Sequence, residues 1–335
     1  MNLLIITQKV DDNDDILGFF TRWLLEFAKN YEKITVICLQ KGEYDLPENI
    51  KVFSLGKDKG VSKIKYLKNF YKYIWQERKN YDKVFVHMNP IYVVLGGLFW
   101  RFKGKKVALW YTHKSVDLKL RIAEKLANII FTASYESFQL KSKKVEVVGH
   151  GIDVNKFICN ENIDKKNDLI YVGRLDKIKN QKLLVGAIDI LVKELGKKEI
   201  KVNLVGDFNS KYGAELKEIV KEKKLENNIK FSGSIPNKDI VGYYCNSKIS
   251  INLCPTGGMD KAVLESMSCG IPVVVLNKTF ESLLSSEMIL EKNDPKELAD
   301  KILNLLENKK DFDLRRIILE NYSLDSLIKK ICSKM

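Results

Sequence analysis

Short apolar runs alternate with helical segments along almost the whole chain. The runs of the first half are "NLLIIT", "KITVICL", "KVFVHM", "KVALWYT", "IIFTAS" and "KVEVVGH", and those of the second half are "LIYVG", "KVNLVG", "IKFSG", "ISINLC" and "PVVVL". Each run has the length of one buried strand, and strands that are separated by helices pair in parallel. The pattern therefore predicts an α/β fold built from doubly wound sheets.

One polar, turn-forming segment interrupts this alternation, "GIDVNKFICNENIDKKND" at residues 151–168. The chain has 335 residues, about twice the length of an ordinary domain. We therefore predict a first domain over residues 1–155, a second over residues 156–318, and a C-terminal helix over residues 319–335 that packs back on the first. Two such domains in tandem leave a cleft, and ligands of doubly wound sheets bind outside the carboxyl ends of the strands.

The charge of the chain narrows the choice of partner only in part. Lysine and arginine number 57 against 43 aspartates and glutamates, a net charge of +14. This excess favours a partner that carries phosphate, which includes a nucleotide, a nucleic acid and an anionic membrane surface. No recognition helix or aromatic stacking motif supports nucleic acid, so we expect no nucleic-acid partner.

The cysteines and the first residues indicate a cytoplasmic protein. The six cysteines form no CxxC pair, and several lie inside apolar runs such as "ITVICLQ". We therefore expect buried free thiols in a reducing compartment and no zinc site. The opening "MNLLIIT" is typical of a strand and lacks a basic segment and a cleavage site, so we expect no signal peptide.

The stretch "IYVGRLDKIKNQ", residues 170–181, places two cations where a strand gives way to a helix. Gly173 ends the strand, and its missing side chain lets a ligand approach the backbone. Arg174 and Lys179 lie five residues apart, beside the unpaired N–H groups of a helix start. Two cations in this position suit a diphosphate. The alternative is that both are solvated surface charges.

The stretch "TGGMDKAVLESMSCGIPVVV", residues 256–275, carries one glutamate in a helix that follows a glycine-rich loop. Asp260 suits the cap of a helix that begins at Lys261, and Gly270 suits its end. Glu265 shares a helix face with small or polar neighbours, so its carboxylate can accept hydrogen bonds from paired hydroxyls such as those of a ribose. The alternative is a surface ion pair with Lys261, worth only a few tenths of a kcal/mol.

These stretches carry a resemblance to a known family. "YVGRLDKIKN", "FSGSIPNKDIVGYYCNSKISINLC" and "VLESMSCGIPVVV", in this order, resemble the C-terminal half of family-4-type retaining glycosyltransferases with the GT-B fold. "VVGHGIDVNKF" resembles the turn that ends the first domain of that family, and "TQKVDDNDDILGFFTRW" lies where its acceptor loop is expected. The likeness covers nearly the whole chain. It implies two Rossmann-like doubly wound domains that face a cleft.

The resemblance implies a role for each matching position. Arg174 and Lys179 match the catalytic pair that holds the donor diphosphate, and Glu265 matches the second glutamate of the EX7E pattern, which binds the nucleotide ribose. His113, in "LWYTHKS", lies near the place of a histidine that faces the donor sugar, and is a third catalytic candidate. The other implied donor-binding positions are Gly173 at the strand end, Ser234 and Ile235 near the base, Val263 and Leu264 at the phosphates, and Gly257, Gly258, Met259 and Asp260 near the sugar.

Two departures from the family pattern affect the sugar and the acceptor. Gly257 stands eight residues before Glu265, where the family has its first glutamate, so Asp260 becomes the candidate substitute, and the donor sugar and the strength of the activity stay open. The acceptor loop shows Gly18 where paired glycines are usual. Asp14 and Asp15 in that loop either contact an acceptor hydroxyl or cap the helix that follows.

The helix "SKIKYLKNFYKYIWQERK", residues 62–79, interleaves lysines with large apolar residues. Such a pattern suits an anionic membrane surface, and with it a lipid-linked acceptor. It also suits an amphipathic helix that covers the sheet and turns a basic face to water. The two interpretations can hold together.

The resemblance implies a metal-independent hexosyltransferase that moves a sugar from a nucleotide-sugar donor to a saccharide or lipid-linked acceptor, with retention, in cell-surface glycan or glycolipid synthesis. We expect no cofactor, because the two cations take the place of a metal. The alternatives are a nucleotide-sugar-binding pseudoenzyme or scaffold, and a GT-B epimerase or hydrolase of a nucleotide sugar.

Overall fold

The computed structural model of the chain describes residues 1–160, 165–255, 258–308, 310 and 312–335. The chain folds into two compact units. The first comprises Met1–Gly151, Pro236–Lys238 and Leu324–Met335, and the second comprises Ile152–Ile235 and Asp239–Ser323. The first unit thus ends a few residues before the predicted boundary at 155. Of the predicted C-terminal segment, residues 324–335 lie with the first unit and residues 319–323 with the second.

The first unit is a parallel sheet with helices on both faces. Its strands are β1 (Asn2–Val10), β2 (Lys33–Lys41), β3 (Ile50–Ser54), β4 (Lys83–His87), β5 (Lys106–Trp110), β6 (Ile129–Thr132) and β7 (Val145–Val147). They lie in the order β3-β2-β1-β4-β5-β6-β7, and every pair is parallel. The order reverses between β1 and β4, which marks the point where doubly wound sheets bind ligands.

The helices of the first unit bury a different set of residues on each face of its sheet. They are α1 (Phe19–Ala28), α2 (Lys63–Gln76), α3 (Pro90–Phe102) and α4 (Leu118–Leu126), together with the C-terminal helix Leu324–Lys334. Alternate residues of β1 point to opposite faces. Leu3 and Ile5 therefore pack with α1 and the C-terminal helix, while Leu4 and Ile6 pack with α2, α3 and α4.

The second unit repeats the architecture around a smaller sheet. Its described strands are β8 (Asn167–Val172), β9 (Val202–Val205), β10 (Ile229–Gly233), β11 (Ser247–Asn252) and β12 (Val273–Val275). They lie in the order β10-β9-β8-β11-β12, all in parallel, with the reversal between β8 and β11. The helices are α5 (Gln181–Lys193), α6 (Lys211–Glu222), α7 (Ile240–Cys245), α8 (Lys261–Ser268), α9 (Pro295–Glu307) and α10 (Leu314–Asn321), and the C-terminal helix of the first unit is α11.

The predicted doubly wound α/β fold is confirmed, although two elements were not foreseen. β3 was missed because this short edge strand is only partly buried and begins beside polar residues. α10 was missed because it is short and follows a polar stretch. None of the helices in the described ranges combines the length and the apolar character that a bilayer span requires.

The expectation of free thiols is wrong for two of the six cysteines. Cys159 and Cys245 form a disulfide that closes 86 residues of chain, with a Cα–Cα distance of 5.4 Å. Cys38, Cys254, Cys269 and Cys332 lie outside this bridge. Sequence spacing could not reveal the bridge, because the fold brings together the end of α7 and a loop that lies far away along the chain.

Candidate functional site in the second unit

Glycines end three neighbouring strands of the second unit at its carboxyl edge. Gly173 and Gly206 follow β8 and β9 with φ of +154° and +150°, and Gly233 ends β10 with φ of +76°. The three are linked in register, since Gly173 N–H donates to Val205 O at 2.9 Å and Gly206 N–H donates to Gly233 O at 2.8 Å. A Cβ at Gly206 would lie 2.1 Å from the Gly173 oxygen. The edge is therefore built from bare backbone, which a ligand can approach closely.

Lys179 and Asp260 form an ion pair at the point where the strand order reverses. Lys179 lies at the end of a short 3₁₀ turn after β8, and Asp260 is the residue before α8. The Lys179 ammonium donates to Asp260 Oδ2, and the amide of Asn252, the last residue of β11, donates to the same oxygen at 3.0 Å. Burial raises the pKa of Asp260, but the charge and hydrogen bonds of these partners outweigh it, so the pKa is lowered.

Asp260 was expected to cap α8. It does occupy the residue before the helix, but its side chain makes no capping hydrogen bond. The carboxylate instead holds Lys179 and Asn252. The bounds of α8 agree with the prediction, since the helix begins at Lys261 and Gly270 follows its end with φ of +70°.

Two buried side chains fix the turn that carries Arg174 and Lys179. The Tyr171 hydroxyl donates to the Lys179 carbonyl and accepts from the Leu253 amide at 3.3 Å, which ties β8 to the end of β11. The Gln181 amide donates to the Arg174 carbonyl at 2.9 Å. The Arg174 side chain itself is exposed, whereas Lys179 is held in its ion pair with Asp260.

Glu265 is half-buried on α8, about one turn after Asp260. It interacts with the neutral side chain of Tyr244 and with the charge of Lys261. The Tyr244 hydroxyl donates to Glu265 Oε2 at 3.1 Å. Burial raises the pKa of Glu265, and the charge of Lys261 and the Tyr244 hydrogen bond only partly offset it. The alternative that paired Glu265 with Lys261 therefore holds in part, since their charges interact. The second carboxylate oxygen leaves room for a further donor in this geometry.

The remaining predicted donor residues surround this edge, except one that lies outside the described residues. Gly258 accepts a hydrogen bond from the Asn277 amide at 3.3 Å, and the Val263 amide already donates to the Asp260 carbonyl at 3.1 Å. Val263 and Leu264 are fully buried, Met259 and Ile235 are half-buried, and Ser234 is exposed directly after β10. Gly257 is the residue of which nothing is described.

The predicted residues of the first unit lie in two loops, one after β1 with Asp14, Asp15 and Gly18 and one after β5 with His113. His113 is exposed in the loop after β5, and its Nδ1 accepts from the Ser115 amide at 3.0 Å. Asp14 accepts from the Ile16 amide at 2.9 Å and the Leu17 amide at 2.6 Å. The helix-capping alternative for Asp14 is not confirmed, because these amides belong to the turn before α1, which begins at Phe19 after Gly18 without a side-chain cap.

A lysine that sequence reasoning missed completes the cluster around Asp14. Lys9, near the end of β1, lies 2.6 Å from Asp14 Oδ2 and 3.0 Å from Asp11 Oδ2. The hydrogen bond that the Lys9 ammonium donates to Asp14 is the largest cause of the raised pKa of Lys9. Asp15 is exposed beside this cluster. Gly18 is closely packed, because a Cβ there would lie 2.5 Å from the Asp14 carbonyl oxygen.

The sequence offered little signal for the residues that hold the donor residues in place. Tyr171, Gln181, Tyr244 and Asn252 are all buried among apolar neighbours. Of these residues, only Asn252 could have been recognised from the sequence, because it is a polar residue at the carboxyl end of an apolar strand.

The described residues also form a cavity of about 470 Å³ lined by Lys248, Pro272 and Arg315, among others. This cavity lies at the opposite, amino-terminal edge of the sheet, and none of the predicted donor-binding residues lines it.

Part of the second unit is similar to known proteins. Residues 166–308 match the family model described as "Glycosyl transferases group 1". A stretch of 102 residues is 35% identical to the capsular polysaccharide biosynthesis glycosyltransferase CapH of Staphylococcus aureus. That match spans 30% of this chain and 28% of the relative, so it concerns less than a third of either protein.

Solved structures match the whole chain. Anabaena HepE in complex with UDP is similar with a TM-score of 0.77 and 18% identity, over 100% of this chain and 99% of that one. A variant of S. aureus TarM, in complex with fondaparinux, α-GlcNAc-glycerol and UDP, is similar with a TM-score of 0.75 and 12% identity, over 99% of each chain. At these identities the likeness concerns the fold. The chain therefore has the GT-B fold of these structures.

Proposed function

We propose that the protein transfers a sugar from a UDP-sugar to a hydroxyl of a saccharide or lipid-linked acceptor, with retention of the anomeric configuration, in the synthesis of a cell-surface polysaccharide. One observation carries the proposal. Lys179, Asp260 and Glu265 lie together at the reversal point of a sheet in which β8, β9 and β10 end at a glycine. The UDP in the HepE and TarM complexes supports uracil as the base, and the CapH match supports a polysaccharide product.

The proposed chemistry needs positive charge where the leaving diphosphate forms. Arg174 and Lys179 supply two cations, and the N-terminus of α8 supplies the positive end of a helix dipole. Because these groups neutralise the diphosphate, we propose that transfer does not depend on a metal. In keeping with the family resemblance, the donor phosphate itself takes the proton of the attacking acceptor hydroxyl. Glu265 accepts hydrogen bonds from the ribose hydroxyls.

The donor sugar is the point where this chain departs from its relatives. Gly257 offers no carboxylate, so we propose that Asp260 contacts the sugar hydroxyls once a diphosphate has taken over Lys179. In the ligand-free state Asp260 neutralises Lys179, and an incoming diphosphate competes for the same ammonium group. Peripheral contact with an anionic membrane belongs to this proposal as well, because a lipid-linked acceptor would lie there.

Calorimetric titration of the purified protein with UDP and with a panel of UDP-sugars, each with and without EDTA, tests the proposal. We expect binding that EDTA does not change, that Lys179→Ala and Glu265→Ala weaken, and that Lys177→Ala leaves intact. Lys177 is the matched control because it is an exposed lysine on the same 3₁₀ turn. Absence of UDP binding by the wild-type chain would overturn the proposal, and UDP-sugar binding without turnover on any acceptor would favour the pseudoenzyme instead.

A further inference from the structure

The outer surface of α2 and α3 in the first unit carries an unusual concentration of exposed apolar side chains. Fifteen large apolar side chains are exposed among the described residues, and eight of them lie on α2, α3 and α4. Six of the eight are on α2 and α3: Ile64, Leu67, Tyr71, Trp75, Leu98 and Phe102. Single exposed apolar residues are ordinary on a protein surface, but a contiguous group indicates a binding surface.

The four residues on α2 form one stripe that does not serve the core. Ile64, Leu67, Tyr71 and Trp75 are spaced by three or four residues, so they lie on one side of the helix. The core contacts of α2 come from a different side, through the buried Phe70 and Ile74. Exposure of Ile64 reaches 70% and that of Trp75 reaches 54%. The helix thus has one apolar side for the sheet and a second one that faces outward.

The stripe continues onto α3. The Tyr71 hydroxyl donates to the Leu95 carbonyl at 3.2 Å, and the rings of Trp75 and Phe99 lie 6.0 Å apart. Phe102 follows Phe99 by less than one turn and is 88% exposed, the highest value among the exposed apolar residues. Neither Leu98 nor Phe102 has a role in the core of the unit. Two neighbouring helices therefore present one apolar surface.

The helices around this surface carry many basic residues and almost no acidic ones. The helices α2, α3 and α4 contain eight lysines or arginines and one glutamate. Lys65, Lys68 and Lys72 are exposed along the flank of the α2 stripe, and the Arg78 guanidinium lies 4.3 Å from the centre of the Trp75 ring. A second copy of the chain would bring two such basic rims together, which like charge opposes.

We propose that this surface docks the protein on an anionic phospholipid bilayer, with Trp75 and Phe102 inserted at the level of the headgroups. Lysine stems can lie along the apolar surface while their ammonium groups reach the lipid phosphates. Tryptophan prefers this interfacial depth, and phenylalanine is common on the apolar faces of helices that lie at this boundary. The inference rests on the proposed membrane contact and names its surface and its lipid chemistry.

Vesicle co-sedimentation of the full chain tests the inference. We expect binding to vesicles of phosphatidylglycerol and phosphatidylcholine, weakened by salt, and little binding to phosphatidylcholine alone. Lys65→Glu with Lys68→Glu and Lys72→Glu should weaken it at least about tenfold. The control Lys198→Glu with Lys221→Glu and Lys230→Glu makes the same change of charge at exposed sites of the second unit and should bind as wild type.

The apolar part of the surface needs its own pair of variants. Leu67→Ser with Phe102→Ser should lose vesicle binding, whereas Leu195→Ser with Leu319→Ser, exposed in the second unit, should keep it. Fluorescence gives an independent readout, because Trp75 is the only exposed tryptophan of the four, and the other three are buried. We expect its emission to shift to the blue when anionic vesicles are added, and the shift to be absent in Trp75→Phe.

The inference is overturned if the wild type ignores anionic vesicles or if the surface variants and their controls bind alike. It is also overturned if Leu67→Ser with Phe102→Ser abolishes a lipid-independent association of the chain with itself or with an acidic protein while vesicle binding persists. UDP titration of the same variants separates this inference from the proposed function. Vesicle binding without UDP binding would contradict the proposed function alone, and UDP binding without vesicle binding would contradict this inference alone.

Discussion

Lys179 donates a hydrogen bond to Asp260 from a position 81 residues earlier in the sequence. The pair joins the turn after β8 to the start of α8, and Asn252 fixes the carboxylate from β11. A cation that would bind a diphosphate is therefore already neutralised before any ligand arrives. The competition between Asp260 and an incoming phosphate for this one ammonium group governs the first prediction.

Asp260→Asn should tighten the binding of free UDP by several-fold and slow sugar transfer. The substitution removes a negative charge beside the incoming diphosphate and releases Lys179. It also removes the carboxylate that we propose contacts the sugar. Calorimetry with UDP and turnover with a UDP-sugar measure the two effects separately. Weaker UDP binding would show instead that Asp260 is needed to position Lys179.

UDP affinity should fall as the pH is lowered through the pKa of Glu265. Burial raises this pKa above its ordinary value, and only the ionised carboxylate accepts hydrogen bonds from both ribose hydroxyls. Binding is therefore strongest above the raised pKa and is lost below it. Glu265→Gln should bind on the order of 10- to 100-fold more weakly, as for the loss of one or more charged hydrogen bonds. Its pH profile should lose this component and keep only the one from the terminal phosphate of UDP, which also changes its charge in this range.

A conservative control separates that profile from a general effect of acid. Glu226→Gln changes an exposed glutamate of the second unit and should keep the wild-type profile. A Glu265→Gln profile that parallels the wild type would contradict the assignment of the pH dependence to Glu265.

Gly206→Ala should destabilise the second unit by at least about 2 kcal/mol. Its Cβ would overlap the Gly173 carbonyl oxygen at 2.1 Å, and its φ of +150° is one that other residues rarely adopt. Gly242→Ala is the matched control, because nothing lies within 4 Å of its Cβ and alanine favours a helix. Thermal unfolding of both variants checks the prediction, and equal melting temperatures would contradict it.

Thiol counting under denaturing conditions should find four free cysteines before reduction and six afterwards. The bridge between Cys159 and Cys245 accounts for the difference. Cys245→Ser should expose one new free thiol, at Cys159, and lower stability by about 2–4 kcal/mol when compared under oxidising conditions. Cys254→Ser, which removes a cysteine outside the bridge, serves as the control. Six reactive thiols without reduction would show that the bridge does not form in solution.

The residue pattern of α2 predicts which sides of that helix are apolar, but it does not predict which helix lies beside it. The alternation of lysines with apolar residues predicted both a core-facing side and a membrane-facing side. Burial of Phe70 and Ile74 confirms the first. The exposed Phe102 on α3 could not have been grouped with Trp75 from sequence, because nothing local indicates which helices become neighbours.

For the predicted donor-binding residues, too, the sequence indicated the local structure but not the contacts between distant residues. The helix of Glu265 was predicted with its correct start, since Asp260, Lys261 and Gly270 follow local rules for helix ends. The partners of these residues were not predicted. Tyr244 reaches Glu265 from 21 residues away, and Asn252 is held on a different element from Asp260.

The sequence alone determined the doubly wound α/β architecture, because the length and spacing of apolar runs are local properties that select parallel strands with helical crossovers. Tertiary structure alone decided that Lys179 meets Asp260, that Cys159 meets Cys245, and that glycines follow β8, β9 and β10 side by side. In a parallel sheet, helical crossovers bring the carboxyl ends of all strands to the same edge. Residues far apart in the chain therefore converge there, and their pairing depends on strand order and register.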